Sequence, residues 1–176
     1  MKRHFFFYEV IGFIFVVGLG ILLHFLYEWS GESILVAPIS AVNESTWEHM
    51  KLLFVPMFLY AIIQSFFFKD YKYYWQSKAK MIITGLILIP TLYYLYNGII
   101  GKSPDWVNIA IFVLSVFLSF LLEIKWYKKD KKFNCTKIEA IVILCFIYGL
   151  FILYTFYPMK INLFLDESTN SYGINK

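Results

Sequence analysis

Charge is what this chain has little of. Asp, Glu, Lys and Arg make up 16% of its 176 residues while 60% are hydrophobic; a soluble domain averages about 25% charged and roughly 45–50% apolar. That shortage argues against a water-soluble domain with a solvated surface. Nucleic acid is also a poor fit as a partner, because the net charge of +4 comes from basic residues confined to short connectors. Cysteine is nearly absent. Cys135 and Cys145 would lie about 15 Å apart along a continuous helix, beyond the roughly 7 Å between Cα atoms that a disulfide can bridge. The chain has no HExxH, HxxxH or CxxC pattern, so no standard zinc motif is written in it.

What it has instead is hydrocarbon in blocks. The apolar runs are about 17–22 residues long, the length that crosses roughly 30 Å of lipid. They predict spans over 5–27, 47–68, 81–101, 106–122 and 138–157. The expected fold is an all-α membrane protein, a five-transmembrane-helix bundle forming a single domain over 1–158, followed by a polar extracytoplasmic tail at 159–176. The run 34–42, broken by Pro38, is too short to cross as a helix. It reads as a re-entrant or interfacial segment between helices 1 and 2, with its backbone packed against protein. The basic start Met1-Lys2-Arg3-His4 imitates a secretory signal, but the apolar run behind it continues to Leu26, so it reads as a retained first span.

Lysine and arginine give the orientation. Of the sixteen, twelve fall in 2–3, 69–80 and 125–137. By the positive-inside rule these segments face the cytoplasm. In a cell membrane the N-terminus would then be cytoplasmic and, with five spans, the C-terminus extracytoplasmic.

The densest polar stretch is Val42-Asn43-Glu44-Ser45-Thr46-Trp47-Glu48-His49-Met50-Lys51, at the outer start of span two. Ser45-Thr46-Trp47-Glu48 matches a capping box, which predicts Ser45 as N-cap and Glu48 at the third helical position. His24 and Glu28 lie one helical turn apart near the outer end of span one. Ionisable groups at such depth are costly, so they pair and mark function. His24, Glu28, Glu48 and His49 are therefore candidate ligands for a divalent metal such as zinc. Glu48 and His49 are alternatively candidate acid–base groups, with Asn43, Glu44 and Asn97 as candidate substrate-orienting groups. Glu44 ranks below the others because, lying before the cap, it loses the same-face relation to Glu48. Each group also has a plainer role: Glu48 as a capping residue, His24 as a helix contact, Asn97 as a hydrogen bond between helices.

Leu23-His24-Phe25-Leu26-Tyr27-Glu28-Trp29-Ser30, then Pro38 and the stretch Val42–Lys51, resembles a family of small multi-pass membrane proteins of low-GC Gram-positive bacteria, a domain of unknown function with a V-N-E-S-x-W-E-H-x-K signature. The resemblance implies that these positions form the family's characteristic site. It brings no activity.

Three roles fit this reading. One is a metal-dependent membrane enzyme acting on a lipid-linked or amphipathic substrate at the outer leaflet. Another is a transporter or substrate-capture module binding a cation or small solute, with Pro56 and Pro90 as hinges. The third is a non-catalytic scaffold whose cluster only packs helices. The lipid bilayer is the expected partner, alongside a small-molecule ligand and a homo-oligomer or membrane complex.

Overall fold

A computed structural model describes residues 2–129 and 133–174, without the side chains of Lys2 and Arg3. Lys131 and Lys132 of the basic connector lie outside the described residues. Five α-helices make up the body: α1 Lys2–Trp29, α2 Thr46–Ser65, α3 Tyr74–Ile99, α4 Asp105–Lys128 and α5 Lys137–Phe156. Four of them, all but α2, are long and apolar enough to cross a membrane. Beyond α5, a 3-10 turn at Asn162–Phe164 leads into a small antiparallel hairpin, β1 Leu165–Asp166 with β2 Ser171–Tyr172.

The helix that falls short on apolarity is the one at the centre. α2 packs against α1, α3, α4 and α5, and its Leu53, Phe54, Met57 and Ala61 are fully buried. Its polar residues Glu48, Lys51 and Gln64 lower its hydropathy, yet they too are buried. The outer faces of the other helices carry exposed Ile14, Leu22, Ile87, Phe117 and Phe146, as lipid-facing surfaces do.

Local chemistry sets the helix starts. Ser45 is the N-cap of α2, its Oγ accepting from Glu48 N at 3.4 Å. The reciprocal half of the predicted capping box is missing: Ser45 N–H donates to Asn43 Oδ1 at 3.0 Å instead. The Glu48 carboxylate turns inward, where Lys51 Nζ, Val42 N and Thr155 Oγ1 occupy both of its oxygens. The complete box occurs at α5, between Thr136 and Glu139. α3 starts at Tyr74, upstream of the predicted Met81. The polar composition there reads as a connector, but Gln76, Ser77 and Lys78 point into the bundle.

Pro56 has no N–H for the carbonyl of Leu52, and the structure shows what approaches that carbonyl. A Cβ at Gly20 of α1 would sit 3.2 Å from it and 2.6 Å from Phe112. Gly12 is likewise pressed against the rings of Tyr60 and Phe120. Glycine thus allows α1 to approach α2 and α4 closely. Gly18, by contrast, meets nothing within 4 Å.

The segment 30–45 folds into successive turns across one end of the bundle. Leu35 points away from the protein and is 90% exposed, whereas Ala37 and Ser40 are fully buried.

Candidate metal centre

Three side chains meet at the end of the bundle closed by segment 30–45. His24 comes from the penultimate turn of α1, His49 from the first turn of α2, and Glu44 from the residue preceding the N-cap. His24 Nε2 and His49 Nε2 each lie 3.5 Å from the same oxygen, Glu44 Oε2. One ligand atom from each residue falls within 4.8 Å of the others, and the two imidazoles are 5.5 Å apart between ring centroids.

The tautomer of His49 is set by its backbone. Its Nδ1 lies 2.9 Å from the carbonyl oxygen of Ser45, so an Nδ1–H donated there leaves the Nε2 lone pair facing the group. His24 Nδ1 is buried with no hydrogen-bond partner. The imidazoles are partly exposed, 29% for His24 and 22% for His49, and Glu44 is 52% exposed. The group is therefore open on one side. The hydrogen bond with His24, helped by the charges of both histidines, holds the Glu44 carboxyl below its usual range against the opposing pull of burial and Asp166.

Glu48, one turn away, belongs to a separate network. Its Oε2 lies 2.6 Å from Lys51 Nζ and accepts from Val42 N at 3.1 Å; its Oε1 accepts from Thr155 Oγ1 at 2.9 Å. Lys51 Nζ donates also to Ala37 O and to Thr155 Oγ1, both at 2.8 Å. Every donor of the ammonium and both carboxylate oxygens are used. One carboxylate meets one ammonium, with no side chain left unsatisfied. The network ties α2, α5 and the turn segment together and leaves no ligand atom free.

The remaining sequence candidates lie apart from the three. Glu28 is exposed and outside the group. Asn43 donates its amide to Gly173 O at 2.9 Å, and Asn97 Oδ1 accepts from Ser103 N at 2.7 Å in the α3–α4 turn. Glu44, ranked low because it precedes the helix, is the residue the fold brings to the histidines. Its position in the turn, not helical spacing, puts it there.

The tail takes part as well. Asp166 Oδ2 accepts from Glu44 N at 3.4 Å, and Oδ1 accepts from Ser168 N, Ser168 Oγ and Thr169 N. Burial pushes the Asp166 carboxyl up, but these bonds outweigh it and leave it below its ordinary value. Phe164 packs on Trp47 at 4.9 Å between ring centroids. Nothing in the local sequence announces Asp166, since its role depends on a contact across more than a hundred residues.

The family model described as Family of unknown function (DUF6512) matches residues 1–174. No curated protein and no solved structure matches the chain.

Proposed function

Because the chain belongs to this family of unknown function, its activity has to come from its own side chains, and we propose an integral membrane protein with a metal centre made by His24, Glu44 and His49. The five helices all cross the bilayer, with the N-terminus cytoplasmic and the metal centre at the extracytoplasmic face. Two imidazole nitrogens and one carboxylate oxygen suit a divalent transition metal, zinc foremost. Three protein ligands leave a further coordination position, the feature that separates catalytic from structural zinc sites. That position is open to a water molecule or to an oxygen donor on an amphipathic or lipid-linked substrate arriving along the outer leaflet. The reading is thus a metal-dependent membrane enzyme.

One observation carries it: both Nε2 atoms stand at 3.5 Å from a single carboxylate oxygen, while His49 Nδ1 is tied back to Ser45 O. A scaffold role would leave every polar group of the cluster paired internally. Glu48 and Lys51 meet that description, whereas His24, Glu44 and His49 are open on one side, Glu44 being 52% exposed.

Metal analysis of protein purified without chelator tests the proposal. We expect near-stoichiometric zinc, lost in His24→Ala, Glu44→Ala and His49→Ala and retained in Glu28→Ala. Metal-free wild type that also takes up no zinc on dialysis against it removes the proposal.

A further inference from the structure

At the opposite end of the bundle, about 22 Å along α1 from His24 at 1.5 Å per residue, lies a second group that the metal centre does not use. Glu9 of α1, Lys78 of α3 and Glu123 of α4 are all buried, with Glu9 1% exposed and the other two 0%. Lys78 Nζ lies 3.1 Å from Glu9 Oε1 and 2.7 Å from Glu123 Oε2. Gln64 Nε2 of α2 donates to Glu9 Oε1 at 2.7 Å; the Tyr74 hydroxyl of α3 donates to Ala61 O at 2.6 Å and lies 3.2 Å from Gln64 Oε1. Tyr60 OH of α2 is spent on the carbonyl of Tyr8.

The charge count does not close. The rings of Phe5, Tyr60, Tyr74 and Phe120 lie 5.6–5.9 Å from the Lys78 ammonium, a cage that favours its charged form. One ammonium then faces two carboxylates, leaving a net negative charge in the buried helical core. The other network shows what balance looks like here: Glu48 and Lys51 are one to one and fully hydrogen-bonded. In the Glu9–Lys78–Glu123 group, one oxygen on each carboxylate, Glu9 Oε2 and Glu123 Oε1, is buried with no partner. A single proton removes the excess negative charge and, because the two carboxyl groups lie within hydrogen-bond reach of each other, serves both orphan acceptors when held between them.

We propose that Glu9 and Glu123 form a proton-binding site, in which the two carboxyl groups together hold one proton at neutral pH beside the charged Lys78. The proton belongs to the pair rather than to either residue, as for carboxylates that share a site and cannot both ionise. It supplies the missing donor and brings the group to net zero. Its loss leaves an unpaired carboxylate in the core. The group lies among the helix ends that carry most of the lysines, so its proton would be exchanged with the cytoplasmic side.

Infrared spectroscopy of the intact protein in lipid tests this directly. At neutral pH we expect a protonated-carboxyl stretch that shifts in deuterium oxide and fades as the pH is raised. Glu9→Gln and Glu123→Gln should each abolish it, because either leaves a balanced one-to-one pair with Lys78. Where an amide variant fails to fold, Glu123→Asp keeps the carboxyl and should move the band. Stability must follow with the right sign. A carboxyl that keeps its proton longer in the folded state than in the unfolded one contributes stability below its unfolded value and loses it as pH rises through the folded value. The melting temperature of the wild type should therefore fall from neutral to alkaline pH, and this fall should flatten in Glu123→Gln. Two results overturn the proposal. One is wild type without a protonated-carboxyl band at neutral pH, including protein stabilised by sodium or potassium in place of the proton. The other is a band unmoved by all three substitutions.

Discussion

Thr155 sits where two charges meet. Its hydroxyl donates to Glu48 Oε1 and accepts from Lys51 Nζ, and the residue is fully buried. Thr155→Val keeps the shape and removes the hydroxyl, leaving a carboxylate oxygen and an ammonium proton without partners. Leaving a buried polar group unsatisfied costs about 1–3 kcal/mol, more where charges are involved. We expect thermal unfolding in detergent to show a loss of at least that order. Zinc uptake at His24, Glu44 and His49 should be unchanged, because none of them touches Thr155. A variant that keeps its stability but loses zinc would instead show that the two networks are one. The same residue-scale view separates Glu48 from Glu44. Both are glutamates in one polar stretch, and only their surroundings assign one to an ion pair and the other to the histidines.

Among the elements, helix types and starts were largely legible in the sequence. Long apolar runs and Ser45 as a cap follow from local chemistry, whereas the closeness of Gly20 to the broken turn at Pro56 depends on how α1 packs on α2. The partners of polar side chains were not legible, because they depend on which helix faces which. Glu9 and Glu123 stand near the ends of their apolar runs, where a charge could reach the headgroups, yet the bundle seals both around Lys78. Asp166 lies in the polar tail, which carries no apolar run of its own, yet the tail folds into a hairpin that docks on the loop bearing Glu44. That hairpin fixes the Glu44 backbone and, through Asn43 and Gly173, the residue before it. Groups that orient a ligand in this way are worth roughly 10–100-fold in metal affinity when removed. Asp166→Ala should therefore weaken zinc binding by about tenfold or more, measured by competition with a chromophoric chelator. The His24→Ala loss should remain the larger. Unchanged affinity in Asp166→Ala would mean that the turn holds Glu44 without the tail.

For the whole molecule, the number of crossings decides which side the metal centre faces. α1, α3, α4 and α5 are apolar enough to cross; if α2 did not, the two termini would share one side of the membrane. The physical argument for α2 is that its charges cost little where they lie. Glu48 and Lys51 neutralise each other, Gln64 is hydrogen-bonded to Glu9 and Tyr74, and all three are buried against other helices. A hydropathy average counts these residues as though they faced lipid, whereas the lipid sees mainly the apolar faces of the surrounding helices. Five crossings place residue 32, before α2, outside and residue 72, after it, inside. In a background of Cys135→Ser and Cys145→Ala, we expect Glu32→Cys to react with a membrane-impermeant thiol reagent on intact cells. Lys72→Cys should react only after permeabilisation. Labelling of both positions on the same side would reduce the crossings to four. If both react only after permeabilisation, the His24–Glu44–His49 group faces the cytoplasm with residue 32, and a substrate approaching along the outer leaflet is abandoned.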